Sequence, residues 1–185
     1  PTEEISVVVT SADPERVTVS SEPLRFDPNN FTTPQTVVVI TNKDDDAIDN
    51  MVGIRLTAPN VTTTTVTVTV RDLDTQEISV NTSSITLTEG GSEAFTVSLA
   101  TKPLEPVEIQ IQSDNNSIVT NVSTLTFTPS DYQVAQNVVV TGAIDADDQD
   151  SSGTVRLFAP GITETRIPVT VTDTSAQNII FTPSN

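Results

Sequence analysis

The sequence contains no cysteine, no histidine and no tryptophan, and only 4% of its 185 residues are aromatic. Without cysteine there is no disulfide framework and no thiol chemistry. Without histidine the chain lacks the commonest general base and the commonest transition-metal ligand. No Ser/His/Asp set and no phosphate-binding glycine loop occurs either. These absences predict that the chain is not an enzyme.

Positive charge is also scarce, because 8 Lys and Arg residues face 25 Asp and Glu residues, for a net charge of −17. Nucleic acids and anionic membranes are therefore poor partners, and cations are the natural ones. There is no apolar stretch near 20 residues and no signal peptide, so we expect no direct membrane insertion. The chain starts at proline and has the look of a piece cut from a longer polypeptide.

An internal repeat is the main feature that is present. Phe26 and Phe127 lie 101 positions apart, and the same offset aligns much of the chain without gaps. It relates Leu24, Pro28, Gln35, Asp44, Asp46, Asp49, Arg55, Leu56, Ala58, Pro59, Val68, Val70 and Asp72 to identical residues. Each copy holds an apolar run, a group of aspartates and a second run in which apolar and polar residues alternate. Two tandem domains of about a hundred residues are predicted, the usual size of a β-sandwich module.

Valine and threonine, alternation with period two and frequent turn residues predict strands throughout, and no helix. The predicted strands of the second copy are 85–88, 94–100, 106–112, 117–127, 137–142, 153–159 and 164–172. The spacing is typical of an all-β fold of two tandem immunoglobulin-like Greek-key β-sandwich domains. The predicted boundaries are 1–74, a domain lacking its first two strands (A and B), 75–176, a complete domain, and 177–185, the start of a further repeat.

The short connection Leu73–Gln76 has no glycine, which predicts a semi-rigid, end-to-end rod. The open edges of the first domain invite strand donation. We therefore expect the tail Asn178–Phe181, the start of another A strand, to pair into the first domain of a neighbouring molecule.

The repeat resembles a Calx-β or related immunoglobulin-like module of large bacterial surface proteins and adhesins. The motifs that carry the resemblance are Ile85–Gly91, Leu125–Pro129, Val138–Val140 and Val169–Asp173. They cover nearly all of the second copy and most of the first. The resemblance implies an extracellular or cell-surface location and calcium at one end of each module.

The aspartate loops are the candidate metal sites. In a seven-strand sandwich the A–B, C–D and E–F loops share one end with the exit of strand G. In the second copy that end is predicted to hold Glu89, Asp114, Asp145, Asp147, Asp148, Asp150 and Asp173. In the first copy it would hold Asp13, Asp44, Asp46, Asp49, Asp72 and Asp74. Hard divalent cations prefer such oxygens, and Ca²⁺ tolerates irregular loops best. The alternative is that these residues are solvated loops that keep the protein soluble.

Three functions are compatible with these features. The leading hypothesis is a structural stalk or spacer repeat of a secreted or cell-surface adhesin-type protein, stiffened by calcium, whose partners are the neighbouring repeats. The second is a binding module for a host or cell-surface protein or glycan. The third is an accessory domain of a large secreted enzyme. A glycan-binding face usually displays Trp or Tyr, whereas this chain has the single Tyr132, so the stalk is favoured.

Overall fold

The computed structural model describes residues 1–174, and it divides the chain into two compact units with the boundary between Leu73 and Asp74. All regular structure within residues 1–174 is β-strand. That part of the chain has no helix long and apolar enough to cross a lipid bilayer. The predicted third copy, residues 177–185 with its segment Asn178–Phe181, lies outside the described residues.

The first unit has six strands among its described residues: β1 (Ile5–Ser11), β2 (Val17–Val19), β3 (Leu24–Phe26), β4 (Val39–Thr41), β5 (Asn50–Ala58) and β6 (Val61–Val70). One antiparallel sheet has the order β3-β1-β5-β6, and β2 pairs with β4 in a separate ribbon. Its fully buried core is small and consists of Val9, Val17, Val52 and Ile54.

The second unit continues with β7 (Ile78–Val80), β8 (Ile85–Thr88), β9 (Ser92–Leu99), β10 (Val107–Ser113), β11 (Ile118–Thr120), β12 (Thr124–Phe127), β13 (Gln136–Gly142), β14 (Ser151–Ala159) and β15 (Ile162–Thr172). Its sheets have the orders β12-β10-β14-β15-β8 and β11-β13-β9-β7. The second sheet is the A-B-E-D sheet of an immunoglobulin-like sandwich, and β10-β14-β15 are its C, F and G strands. The predicted fold class is confirmed.

Alternation along each strand decides which side chains enter the core. In β10, Ile109 and Ile111 are buried between the sheets, whereas Glu108 and Gln112 are exposed to solvent. Phe95 and Phe127 are the largest fully buried side chains, and the rest of the core is aliphatic. Period-two patterning of this kind is what a half-buried strand requires.

The predicted strand 117–127, for which the sequence left room for a short extra strand, is two strands, one in each sheet. β11 pairs with β13 and β12 pairs with β10. The link between them is held by both sheets: the Asn121 N–H donates to the Val139 carbonyl at 3.0 Å, and the Ile111 N–H donates to the Ser123 carbonyl at 2.8 Å. The apolar alternation changes phase here, from Ile118 and Val122 to Leu125 and Phe127, which marks where the chain changes sheets.

The six strands of the first unit correspond to β10–β15 of the second under the 101-residue offset. Within the described residues the first unit has no equivalent of β7, β8 or β9. Its four-stranded sheet therefore ends at β6, and its ribbon ends at β4.

The packing generates a stability prediction. Phe127→Ala should lower the free energy of unfolding of the second unit by about 3–5 kcal/mol, because it opens a cavity in a fully buried core. Urea unfolding followed by the fluorescence of Tyr132, which packs against this core, reads the second unit alone. Leu104→Ala is the control, since that side chain is 73% exposed and should cost less than about 0.5 kcal/mol. Equal effects of the two substitutions would contradict the assigned core.

Candidate cation sites at the acidic loops

The acidic loop that follows β13 is shaped by its own aspartates. The Asp147 N–H donates to Asp145 Oδ1 at 3.1 Å, and the Gln149 N–H donates to Asp147 Oδ1 at 2.8 Å. Short carboxylates bond readily to backbone two residues on, which favours tight turns over strand or helix. Asp147 thus helps to fold the loop that presents Asp145.

Three carboxylates of the second unit converge. Glu89, Asp145 and Asp173 each offer an oxygen, and these oxygens all lie within 4.8 Å of one another. Glu89 lies in the turn after β8, and its Oε1 accepts a hydrogen bond from the Asp145 N–H at 3.1 Å. Asp173 directly follows β15. The predicted reach of Glu89 across to the acidic loop is present in the structure.

The other predicted residues of the second unit surround this group or lie beside it. Asp150 Oδ1 accepts a hydrogen bond from the Asp173 N–H at 2.9 Å and so positions that residue. Asp148 is exposed, and its Oδ1 accepts a hydrogen bond from the Gln149 side chain. Asp114 Oδ1 accepts a hydrogen bond from the Thr154 N–H at 2.6 Å, at the start of β14.

The first unit has an equivalent group made of Asp44, Asp46 and Asp72, again with oxygens within 4.8 Å of one another. Asp49 Oδ1 accepts a hydrogen bond from the Asp72 N–H at 2.7 Å, which repeats the bond between Asp150 and Asp173. Asp74, which the sequence grouped with these residues, is exposed and is not among the three converging carboxylates.

Arg16 is the functional residue that sequence reasoning missed. Its Nη1 lies 3.0 Å from Asp13 Oδ2, its Nε lies 3.5 Å from Asp44 Oδ2, and its Nη2 lies 3.7 Å from Asp46 Oδ2. A guanidinium presents several donors in a planar fork, which suits it to contact several carboxylates at once. The first unit thus carries its own cation at the acidic end.

The second unit has Ser117 at the position of Arg16. The backbones match, because the Arg16 carbonyl accepts a hydrogen bond from the Asn42 N–H at 2.9 Å and the Ser117 carbonyl accepts one from the Ala143 N–H at 2.8 Å. At this position the backbone follows the same course in both units, and only the side chain differs. The 101-residue offset aligns Arg16 with Ser117, and this comparison would have revealed from the sequence alone that the two units differ in charge at this position.

Charge and burial shift two carboxyl groups of the first unit in opposite directions. The Arg16 side chain, by hydrogen bonding, holds the pKa of Asp13 below its ordinary value of 3.8. Burial raises the pKa of Asp44 above its ordinary value, and repulsion from Asp46 and Asp72 adds to the rise, while Arg16 opposes it. The Asp44 site thus retains excess negative charge even with the guanidinium present.

Chemically, each group offers a hard, anionic oxygen surface. Three carboxylates supply part of the six to eight oxygens that Ca²⁺ takes, and backbone carbonyls and water commonly complete such a shell. In the first unit the guanidinium already meets two of the three carboxylates. The second unit's group has no arginine at the equivalent position.

Comparison with protein-family models finds no match, and comparison with curated proteins finds none either. Among solved structures, the chain is similar to domains 4 and 5 of the S-layer protein SbsC, with 18% identity and a TM-score of 0.46 over 90% of this chain and 70% of that one. It covers 20% of the structure of SbsC domains 1–6. For the D00–D0 domain of Intimin the identity is 9% and the TM-score is 0.41, over 90% of this chain and 85% of that one.

A GH5 xyloglucanase of Bacteroides ovatus matches 55% of this chain and 20% of its own, with 13% identity and a TM-score of 0.41. Likenesses at these identities and TM-scores carry no argument about family or function. The Calx-β resemblance therefore stays a resemblance carried by sequence motifs.

The position of Arg16 generates a titration prediction. In Arg16→Ser the pKa of Asp44 should rise further and that of Asp13 should return toward its ordinary value, since both lose an attractive charge. Arg16→Lys, which keeps the charge, should move the pKa of Asp44 less. Carboxyl-carbon NMR of the chain between pH 2 and pH 7 measures these values.

The sign for stability follows from these directions. The lowered pKa of Asp13 contributes stability above pH 3.8 that is lost as pH falls through its folded pKa. The raised pKa of Asp44 works oppositely, because its protonation on acidification favours the folded state. An Asp44 pKa that does not respond to Arg16→Ser would contradict the assigned contact.

Proposed function

We propose that the chain is a pair of load-bearing spacer modules of a secreted or cell-surface protein of adhesin type, with no catalytic role. Its partners are the neighbouring repeats of the same polypeptide. The observation that supports this most directly is one strand pairing in the second unit. The two strands of the five-stranded sheet that come first and last along the chain, β8 and β15, are neighbours in that sheet. β8 and β15 are parallel, with Ile85 opposite Val169 and Thr88 opposite Thr172.

Parallel pairing of these strands matters because the chain passes through the short β7, which pairs with β9, then runs along β8, and leaves the unit from β15. Tension applied along the polypeptide pulls two parallel strands in opposite directions, along their lengths. Their hydrogen bonds are then loaded together in shear, whereas an antiparallel hairpin pulled at its open end loses its bonds one at a time. A bond from the Glu89 N–H to the Thr172 carbonyl, at 3.0 Å, extends the pairing beyond the strands.

The surface fits a spacer better than a protein- or glycan-binding module. Tyr132 packs against the core of the second unit, and Phe31, its counterpart in the first unit, is 53% exposed. Binding faces concentrate exposed aromatic side chains. Phe31 is the single exposed phenylalanine among residues 1–174, which does not favour a binding module.

Calcium would reinforce the same pair of strands. Glu89 directly follows β8 and Asp173 directly follows β15, so an ion held by the two carboxylates and by Asp145 would tie the strands together at their ends. We therefore place the calcium site of the proposal at Glu89, Asp145 and Asp173. Arg16 takes the corresponding role for Asp44 and Asp46 in the first unit, which should then need calcium less.

The load path can be tested by force spectroscopy on the chain held by its ends. In a parallel ladder a residue presents its N–H and C=O to the same side, and the Thr172 carbonyl faces β8. Thr170, two residues earlier, therefore presents its N–H to β8. Thr170→Pro should weaken this pairing and lower the unfolding force of the second unit strongly, while costing about 0.5–1.5 kcal/mol for the lost bond.

The matched control for the force experiment is Phe127→Ala, which lowers the free energy of unfolding more but leaves the β8–β15 pairing in place. The proposal expects the larger loss of force in Thr170→Pro and the larger loss of free energy in Phe127→Ala. If unfolding force simply follows free energy in both variants, β8 and β15 do not bear the load.

Calcium binding has its own prediction. At millimolar Ca²⁺, a site with a Kd of about 10⁻⁴–10⁻³ M stabilises the second unit by about 0.4–1.4 kcal/mol through mass action. Thermal unfolding followed by Tyr132 fluorescence should shift upward, return with chelator, and shift less with Mg²⁺. Glu89→Gln and Asp145→Asn should each diminish the shift.

Asp148→Asn is the control for the calcium experiment, because it removes the same charge from the same loop outside the converging group. Isothermal titration of Arg16→Ser should in addition reveal binding to the first unit that the unchanged chain lacks. Absence of any calcium response in the unchanged chain would leave the aspartates as solvated loops and reject the metal site without rejecting the spacer.

A further inference from the structure

The first unit has an open apolar groove between β4 and β6. Val39 on β4 is 41% exposed and Val66 on β6 is 52% exposed. Their counterparts in the second unit, Val140 and Ile167, are both 0% exposed. The same sequence positions are thus core in one unit and surface in the other.

The second unit shows what covers this groove. There β8 lies along β15 and β9 lies along β13, and together they bring Ile85, Leu87, Phe95 and Val97 into the core. The first unit has the equivalents of β13 and β15 but, within residues 1–174, none of β8 and β9. Its groove therefore has two open strand edges with apolar side chains between them.

We propose that this groove is an acceptor for a strand segment of the repeat's own type, with the chemistry of Glu77–Leu99. The equivalent of β9 would pair antiparallel to β4, bringing its phenylalanine opposite Val37, as Phe95 lies opposite Val138. The equivalent of β8 would run parallel to β6, with its leucine opposite Val70, as Leu87 lies opposite Val171. Main-chain bonds would supply affinity, and the alternating apolar side chains specificity.

Charge complements the apolar fit. In the second unit the turn between β8 and β9 brings Glu89 to Asp145, whose counterpart in the first unit is Asp44. Arg16 lies 3.5 Å from Asp44, so it stands where the carboxylate of an incoming segment would arrive. A guanidinium there offsets the repulsion that a further glutamate would otherwise meet.

A shorter segment would not suffice, which changes the expectation drawn from the tail Asn178–Phe181. The sequence of that tail matches the sequence of β7. In the second unit β7 pairs with β9, and not with β13 or β15, which are the equivalents of β4 and β6. An A strand alone would leave the place of β9 vacant. The occupant must carry the equivalents of both β8 and β9.

The test uses the complete chain, labelled with ¹⁵N, and a synthetic peptide of residues 77–101. We expect one peptide to bind per chain and the amides of β4 and β6 to exchange more slowly by about tenfold or more. Val39→Lys places a charge in the groove and should abolish binding. Ile40→Lys is the matched control, since Ile40 corresponds to Thr141 on the outward side of the strand, and it should leave binding intact.

A peptide carrying Phe95→Asp and Val97→Asp tests the same contact without altering the chain, and it should not bind.

Fusing residues 75–101 directly before Pro1 provides a second measurement if the peptide aggregates, and the fusion should protect the same amides. Failure of both the peptide and the fusion to protect β4 and β6 would overturn the proposal. Self-association of the chain that Val39→Lys abolishes and the peptide does not inhibit would also overturn it, because a different surface of a second copy would then occupy the groove. None of these outcomes depends on the load-bearing role.

Discussion

The parallel pairing of β8 with β15 is the contact on which most of the second unit depends. It adds the final strand to the five-stranded sheet, and it helps to close the core over Leu87 and Val171. It also sets the ends of two strands side by side, which is why Glu89 and Asp173 meet without being near in sequence. The first unit lacks this pairing within its described residues. The missing pair accounts there both for the open groove and for an acidic group without a glutamate.

The two units thus balance the same acidic end by different means. In the first, Arg16 supplies a fixed charge that requires no ion from solution. In the second, Ser117 supplies no charge, and Glu89 adds one more carboxylate oxygen. A fixed guanidinium confers the same neutralisation at any calcium concentration, whereas the second unit, if it binds calcium as proposed, would respond to its surroundings. Tandem modules built from one repeat would then differ in ion dependence through a few side chains.

Much of this fold could be predicted from the sequence because its signals are local or periodic. Alternation in stretches such as Val107–Ile111 indicates a strand with one buried face, and a constant offset of 101 reveals the repeat. The break between β11 and β12 is visible as a change of phase in the apolar alternation between Val122 and Leu125. The sheet that each strand joins is not visible, because it depends on long-range backbone bonds at Asn121 and Ser123. The acidic loops were located correctly, but the sequence does not show which carboxylates converge. Asp148 lies in the same acidic loop as Asp145, and Asp114 lies in the turn after β10; only the hydrogen bonds of the folded chain show that neither belongs to the converging group.

The carboxylates at the end of the β8–β15 pair affect how firmly these two strands are held together. Two like charges about 4.8 Å apart repel by about 3.5 kcal/mol at an effective dielectric of ~20, and less where solvent and salt screen them. Glu89 and Asp173 therefore push apart the strand ends that the backbone hydrogen bonds hold together. A divalent cation reverses the sign of that interaction, so the group weakens the strand pair when empty and strengthens it when filled. Under the proposed spacer function these are also the two strands through which tension would pass, so charge concentrated at their ends would make the resistance to force respond to calcium.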